Sequence, residues 1–193
     1  MTGAVRRAFV AARPPDDILD IIDRAVTRAR RAMVGPRWAT RDQWHVTLQF
    51  LGAVDDVDAV SAALAAVASE APFHASLSGA GGFPSAHRAR IVWVGAGGSG
   101  EWLPLVTAVG SVLAPLGYEV ETRPFRPHVT VARLREPAPV LAAVDGLLAG
   151  LELAGLESGG GSWMVDEVVL LESALAPSGA RYTPLTRISL QGA

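Results

Sequence analysis

The feature that most constrains the fold is a short motif that occurs twice. WHVTLQFL begins at Trp44 and PHVTVARL begins at Pro127, an offset of 83 residues. In a chain of 193 residues this likeness predicts an internal duplication, in which each copy occupies about half of the chain. We therefore expect one bilobal domain over residues 1–193, with approximate repeats 1–95 and 101–193 joined by the Gly-rich segment 95–100.

The hydrophobic pattern of each half predicts helices alternating with strands. Apolar residues at three- and four-residue spacing predict a helix that begins after Pro15, a second one that begins at Asp55-Asp56, and further helices over 101–116 and 137–148. Short apolar runs predict strands over 4–11, 44–51, 73–77, 89–94, 128–134, 151–156, 163–171 and 182–190, with a Gly/Pro-rich connection between 77 and 89. The fold class is therefore α+β.

Composition excludes several classes of protein and site. Half of the residues are hydrophobic and 19% are charged, which supplies a core and excludes a disordered chain. Cysteine is absent, so disulfides, thiolate nucleophiles and cysteine zinc sites are excluded. No apolar run reaches the ~18 residues of a membrane helix, and the N-terminus lacks the apolar region of a signal peptide. We expect a cytoplasmic monomer without a membrane partner.

Charge is unevenly distributed along the chain. The net charge is −2, which argues against a protein that coats nucleic acid, and all 17 basic residues are arginine. The segment 123–135 contains Arg123, Arg126, Arg133 and Arg135 and no acidic residue. A local positive field on a mildly acidic molecule is therefore predicted there.

The repeated motif places two polar side chains on one face of each strand. Residues i and i+2 of a strand share a face, so His45 lies beside Thr47 and His128 beside Thr130. The intervening Val46 and its counterpart in the second motif point to the opposite, buried side. If a pseudo-twofold axis relates the halves, the two polar pairs face each other across a cleft.

Two opposed imidazoles suit phosphoester chemistry without a metal or other cofactor. With pKa values near 6.5, one histidine can accept a proton while the other donates one near neutral pH. A cyclic phosphodiester is a fitting substrate, because ring strain favours its opening by water. Threonine hydroxyls would donate to the non-bridging oxygens, and Arg133, or its neighbours Arg126 and Arg135, could bind the same oxygens.

The sequence resembles the two-histidine phosphoesterase superfamily, and within it the LigT-like RNA 2′,3′-cyclic phosphodiesterases, formerly described as 2′-5′ RNA ligases. The stretches that carry the resemblance are RAFVA, RW followed by WHVTLQFLG, GAGGFP followed by RIVWVG, RPFRPHVTVAR and VVLLESALAPSGARYTPL. They occur in the family's order and span essentially the whole chain.

The resemblance implies a bilobal fold in which two antiparallel sheets line a central cleft and helices cover the outer faces. It implies metal-independent hydrolysis of a 2′,3′-cyclic phosphate on RNA or a nucleotide to a 2′-phosphate. His45 would be the proton donor and His128 the proton acceptor, with Thr47 and Thr130 as phosphate ligands.

Position five after each histidine is Phe50 in the first motif and Arg133 in the second. The family pattern places these residues near the base and the phosphate, respectively. Strict alternation instead puts both on the face opposite their histidine, where Phe50 would belong to the core. A bulge between the histidine and position five would reconcile the two expectations.

Three alternatives use the same residues or a different motif. Residues 95–100 satisfy G-x-G-x-x-G between a predicted strand and helix, which is typical of dinucleotide binding, although Glu101 would lie where a pyrophosphate binds. An RNA-end binder or a 2′-5′ ligase could use the same cleft, because acid and base serve both reaction directions. A two-histidine metal site lacks a nearby third ligand.

Overall fold

The structure is a computed structural model that describes residues 4–97, 99–154, 161–176 and 179–192. Within these ranges it contains nine strands and four α-helices. The strands are β1 (Val5–Ala12), β2 (Arg37–Trp38), β3 (Val46–Val54), β4 (Phe73–Phe83), β5 (Ala89–Ala96), β6 (His128–Ala138), β7 (Ser162–Val165), β8 (Glu167–Ala176) and β9 (Gly179–Ser189). The helices are α1 (Asp16–Ala32), α2 (Val57–Leu64), α3 (Ser99–Leu113) and α4 (Leu141–Leu153).

The strands form a single sheet in the order β7-β4-β5-β6-β3-β1-β8-β9, with the short β2 paired to β6. The strand pairs described are antiparallel, so the α+β class is confirmed. One half of the sheet contains β4 to β7, while the other combines β1 and β3 with the C-terminal β8 and β9. The halves of the sheet therefore do not coincide with the halves of the chain.

The structure has one sheet where two separate sheets were expected. The two halves of the sheet are joined where β3 meets β6, through the single residue pair Val46–Val129. Beyond that pair the edge of β6 is taken by β2, which pairs with Arg133 and Ala132. One continuous but narrowly joined sheet results, and the duplication itself stays a prediction.

Helices α1 and α4 pack against each other at very short range. An added Cβ at Gly150 would lie 2.5 Å from the Cα of Ala25, and one at Gly146 would lie 2.9 Å from the Cα of Ala29. Only glycine allows the two helix backbones to approach this closely. Helix α1 turns its apolar stripe, which includes Ile22, into the core, as the spacing predicted.

Several predicted boundaries are wrong at element ends. The predicted helix 137–148 begins only at Leu141, because β6 continues to Ala138 beside Ala89. Of the predicted strand 151–156, the first three residues belong to α4, where Leu151 is buried, and residues 155–156 lie outside the described residues. The predicted strand 163–171 divides at Asp166 into β7 and β8.

The N-terminal helix signals are confirmed. Pro15 immediately precedes α1, and the side chain of Asp56 accepts a hydrogen bond from the Ala59 N–H at 2.9 Å to begin α2. In the described part of the chain, no helix combines the length and the apolar character that a membrane span requires.

Candidate active site

The two His-x-Thr motifs lie on neighbouring strands at the junction of the sheet. Val46 pairs with Val129 in the antiparallel ladder between β3 and β6. Extension of this register by one residue on either side would set His45 opposite Thr130 and Thr47 opposite His128. Directly opposed Cβ atoms in such ladders are about 5 Å apart, and diagonal neighbours such as the two histidines are about 7–8 Å apart. The two motifs therefore meet in one cluster at the junction, where His128 is close enough to His45 to lower its pKa.

The opposite face of both motifs is anchored in the core. Val46, Leu48, Val129 and Val131 are buried in the hydrophobic cluster, whereas the histidines and threonines remain half-buried. The parity predicted from strand periodicity is therefore confirmed: each motif presents its polar residues on one side and its apolar residues on the other.

Each motif contains a bulge at the same position, three residues after its histidine. In β3, Thr47 pairs with Ala11 and Gln49 with Val10, so Leu48 is an extra residue. In β6, Thr130 pairs with Trp93 and Ala132 with Val92, so Val131 is extra. In both strands the extra residue and the residue after it are buried. A bulge shifts the alternation by one residue and restores position five to the face of the histidine.

Phe50 and Arg133 consequently lie on the site face, not in the core. The Phe50 side chain is 70% exposed, and its ring centroid lies 6.1 Å from that of Phe9, which in turn lies 4.7 Å from the His45 ring. Arg133 is exposed and close enough to both histidines to affect their pKa values. The interpretation of Phe50 as a core residue is wrong.

A short turn orients His45. The 3₁₀ turn Arg41–Gln43 ends two residues before it, and Arg41 forms an ion pair with Asp20 of α1. The Gln43 side-chain amide donates to the carbonyl of Ala180 at 2.6 Å, which ties the turn to β9. The backbone of Gln43 lies close enough to the His45 ring to raise its pKa. The turn thus fixes the imidazole against the sheet.

His128 is held in a related way. Its Nδ1 lies 2.6 Å from the carbonyl oxygen of Arg126, so an Nδ1–H donates to that carbonyl and Nε2 is left for chemistry. The ring contacts Phe83 edge-on at 4.9 Å and lies 6.4 Å from Trp93. Both histidines therefore pack against aromatic rings, and His128 also bonds to the backbone two residues before it.

Both histidines are neutral in the free protein near pH 7. Burial is the main cause that lowers the pKa of His45 to about 4, opposed by the nearby backbone of Gln43 and assisted by the positive charge of Arg133. Burial also lowers the pKa of His128, against the bond to Arg126 and with the same Arg133 charge. An anion bound between the rings would raise both pKa values.

Two aromatic residues that were not among the predicted site residues frame His45. Tyr182 of β9 stands edge-on to the His45 ring at 5.1 Å and to Phe9 of β1 at 5.0 Å. Burial raises the pKa of the Tyr182 phenol, so it stays protonated near neutral pH. Both residues reach the site through the pairing of β1, β8 and β9, and their only sequence signal is their place within RAFVA and ARYTPL.

The threonine hydroxyls are available to a ligand. Among the side-chain hydrogen bonds of the described residues, neither Thr47 nor Thr130 has a protein partner for its hydroxyl. Within the same ranges, no group of three metal-binding side chains lies close enough together to hold an ion. The arrangement can bind an anion through the threonine hydroxyls, the two imidazoles and the guanidinium of Arg133.

The topology contradicts the dinucleotide alternative. A strand–glycine–helix phosphate site of that kind requires a parallel β-α-β unit, whereas β5 and β6, which flank α3, pair antiparallel. Gly98 of the glycine segment lies outside the described residues.

Comparison with known proteins shows the family of the chain. Residues 14–176 match the 2'-5' RNA ligase superfamily. RNA 2',3'-cyclic phosphodiesterases from Aeropyrum pernix and Thermus thermophilus are 35% and 33% identical, covering 76% and 96% of this chain and 82% and 91% of theirs. A crystal structure of E. coli LigT complexed with 3'-AMP has a TM-score of 0.69 at 25% identity, covering 96% of this chain and 98% of that one. The chain belongs to the 2'-5' RNA ligase superfamily.

Proposed function

We propose that this protein hydrolyses RNA 2′,3′-cyclic phosphate ends to a 2′-phosphate, with His45 and His128 as the acid and base pair. The observation that carries the proposal is the pairing of Val46 with Val129, which brings the two motifs together and supports an arrangement in which each histidine faces the threonine of the other motif. A phosphate placed over this cluster meets both imidazoles and both hydroxyls at once. The names of the relatives support the same reaction class.

The reaction adds one water to the cyclic phosphodiester. One imidazole accepts a proton from the attacking water, whose oxygen forms a bond to phosphorus while the bond to the ribose 3′-oxygen breaks. The second imidazole protonates that leaving oxygen, and the phosphate remains on the 2′-oxygen. Following the family resemblance, His128 is the acceptor and His45 the donor.

The donor acquires its proton with the substrate. Because the pKa of His45 in the free site is lowered to about 4, its imidazole is neutral before the phosphate binds. The negative charge of a phosphodiester favours the imidazolium, so substrate binding and proton uptake are coupled. Because of this coupling, the partly buried His45 becomes charged only when an anion is bound beside it.

The remaining residues stabilise the phosphate and the base. Thr47 and Thr130 donate their hydroxyl protons to non-bridging oxygens, whose charge grows during attack. Arg133 is placed for a charge-assisted bond to the same oxygens. Phe50, exposed on the same face, offers a surface on which the base of the terminal nucleotide stacks.

Two single substitutions test the proposal. His45→Ala and His128→Ala should each lower turnover of an oligonucleotide with a 2′,3′-cyclic phosphate end by roughly 10²- to 10⁴-fold. His74→Ala is the matched control, because His74 is an exposed strand histidine in β4. Identification of the product separates hydrolysis from 2′-5′ ligation and from binding alone. A folded His45 or His128 variant with near-normal activity would refute the assignment.

A further inference from the structure

A groove of about 400 Å³ extends from His128 away from Phe50. Phe50 lies on the β1 side of the histidine pair, whereas the groove lies over β4 and β5, on the other side of β6. We call it the His128 groove, and its main lining residues are Phe83, Trp93, Gly97, Phe125, Arg126 and His128. The mechanism uses only the histidine among them.

The floor of the groove is an aromatic surface fixed by a glycine. A Cβ at Gly81 would lie 2.4 Å from Cζ2 of Trp93, so the indole lies directly over the glycine backbone of the neighbouring strand. Phe83 lies beside it, with ring centroids 5.3 Å apart and planes inclined by 32°. This packing leaves the two rings little freedom, which lowers the entropic cost of binding a flat ligand against them.

Phe125 and Arg126 add a further aromatic ring and a positive charge to the lining of the groove. Phe125 is half-buried and packs at 6.3 Å from the ring of Trp102, a fully buried residue whose indole N–H donates to the Gly97 carbonyl at 2.8 Å. Arg126 follows at the rim and is exposed. Among the described residues it forms no ion pair. Aromatic walls with a cation at the rim suit a nucleobase joined to a phosphate.

We infer that the His128 groove binds the nucleotide immediately upstream of the one that carries the cyclic phosphate. Its base would stack against Phe125 and the Phe83–Trp93 floor, while the connecting phosphate lies near Arg126. The inference rests on the proposed function, in which the terminal base lies on the Phe50 side of the histidines. It makes the protein selective for oligonucleotide ends over cyclic mononucleotides.

The expected selectivity follows from the energetics of stacking. One base stacked on an aromatic side chain increases the binding affinity by about 5- to 150-fold. A dinucleotide with a 2′,3′-cyclic phosphate should therefore exceed the cyclic mononucleotide in kcat/KM by that factor. A dinucleotide whose upstream nucleotide lacks its base should lose most of this gain.

The decisive measurement is the ratio of kcat/KM for the dinucleotide to that for the mononucleotide. Phe125→Ala should lower this ratio several-fold, because the upstream base would keep only the Phe83–Trp93 floor. Phe125→Leu, which preserves apolar contact with Trp102 but has no ring, should do the same. Leu153→Ala is the control, because Leu153 is 77% exposed on α4, outside the groove, and its ratio should match the unmodified protein. Unfolded protein in any sample cancels in the ratio.

Three results would overturn the inference: equal kcat/KM for both substrates, an equal loss on both in the Phe125 variants, or full activity with the abasic dinucleotide. Absence of turnover with every cyclic phosphate would count against the proposed function alone. The groove would then be judged by Kd, measured by calorimetry for a dinucleotide and a mononucleotide that end in a 2′-phosphate. The same ratio of Kd values, and its decrease in Phe125→Ala, would uphold the groove, and equal Kd values would reject it.

Discussion

Acid should destabilise this protein through His45 in particular. The pKa of this histidine is about 4 in the folded protein and about 6.5 in an unfolded chain. Between these values the unfolded chain binds a proton that the folded protein excludes, so the free energy of unfolding falls as the pH falls. From these two pKa values, His45 alone lowers the free energy of unfolding by about 2 kcal/mol between pH 7 and pH 5.

Urea unfolding of the unmodified protein and of His45→Gln at the two pH values measures this contribution. Other acid-sensitive groups act equally in both proteins, so the difference isolates His45. The variant should lose about 2 kcal/mol less than the unmodified protein, a difference of about 1 M in the urea midpoint. His74→Gln, at an exposed position, should behave as the unmodified protein does. If His45→Gln and the unmodified protein lose stability equally, the imidazole is not shielded as the structure describes.

Three further predictions concern packing and the site. Gly150→Ala should lower the free energy of unfolding by roughly 1–3 kcal/mol, because its Cβ would meet the backbone of Ala25, whereas Gly100→Ala, with open space around it, should not; thermal denaturation compares the two. Thr47→Val and Thr130→Val should each reduce kcat/KM by roughly 10- to 100-fold without loss of fold, and unchanged kinetics would remove the hydroxyls from the mechanism. The pH profile of kcat/KM should peak below pH 6.5, because burial lowers the pKa values of both histidines in the free protein. The pH profile of kcat should extend to higher pH, because the bound phosphate raises these pKa values. Coincident profiles would contradict coupled proton uptake.

Strand periodicity was sufficient to assign the two faces of each motif. The alternation in each motif assigned His45, Thr47, His128 and Thr130 to one face, and the buried valines between them confirm it. Periodicity describes one strand at a time, however. That Val46 lies against Val129 depends on the pairing of β3 with β6 across a long stretch of sequence. The likeness of the motifs was the only sequence signal for it.

Residues contributed by distant strands could not be found in this way. Tyr182 reaches His45 because β9 pairs with β8 and β8 with β1, and a local pattern contains no record of that chain of pairings. Similarly, the glycines of 79–82 favour a connection, yet they lie within β4 because β5 pairs along them and Trp93 covers Gly81. In both cases tertiary packing overrides the local preference.

The two bulges explain why the face on which position five lies could not be predicted from the sequence. A regular strand would bury Phe50 and Arg133 behind the motifs, and nothing in either sequence separates a bulged strand from a regular one. The extra residues Leu48 and Val131 are ordinary apolar side chains, buried with the residue that follows them. Because the bulge occupies the same position in both strands, it shifts both position-five side chains onto the site face together. The site face therefore gains an exposed aromatic ring from one motif and a cation from the other, which is the arrangement on which the proposed nucleotide binding depends.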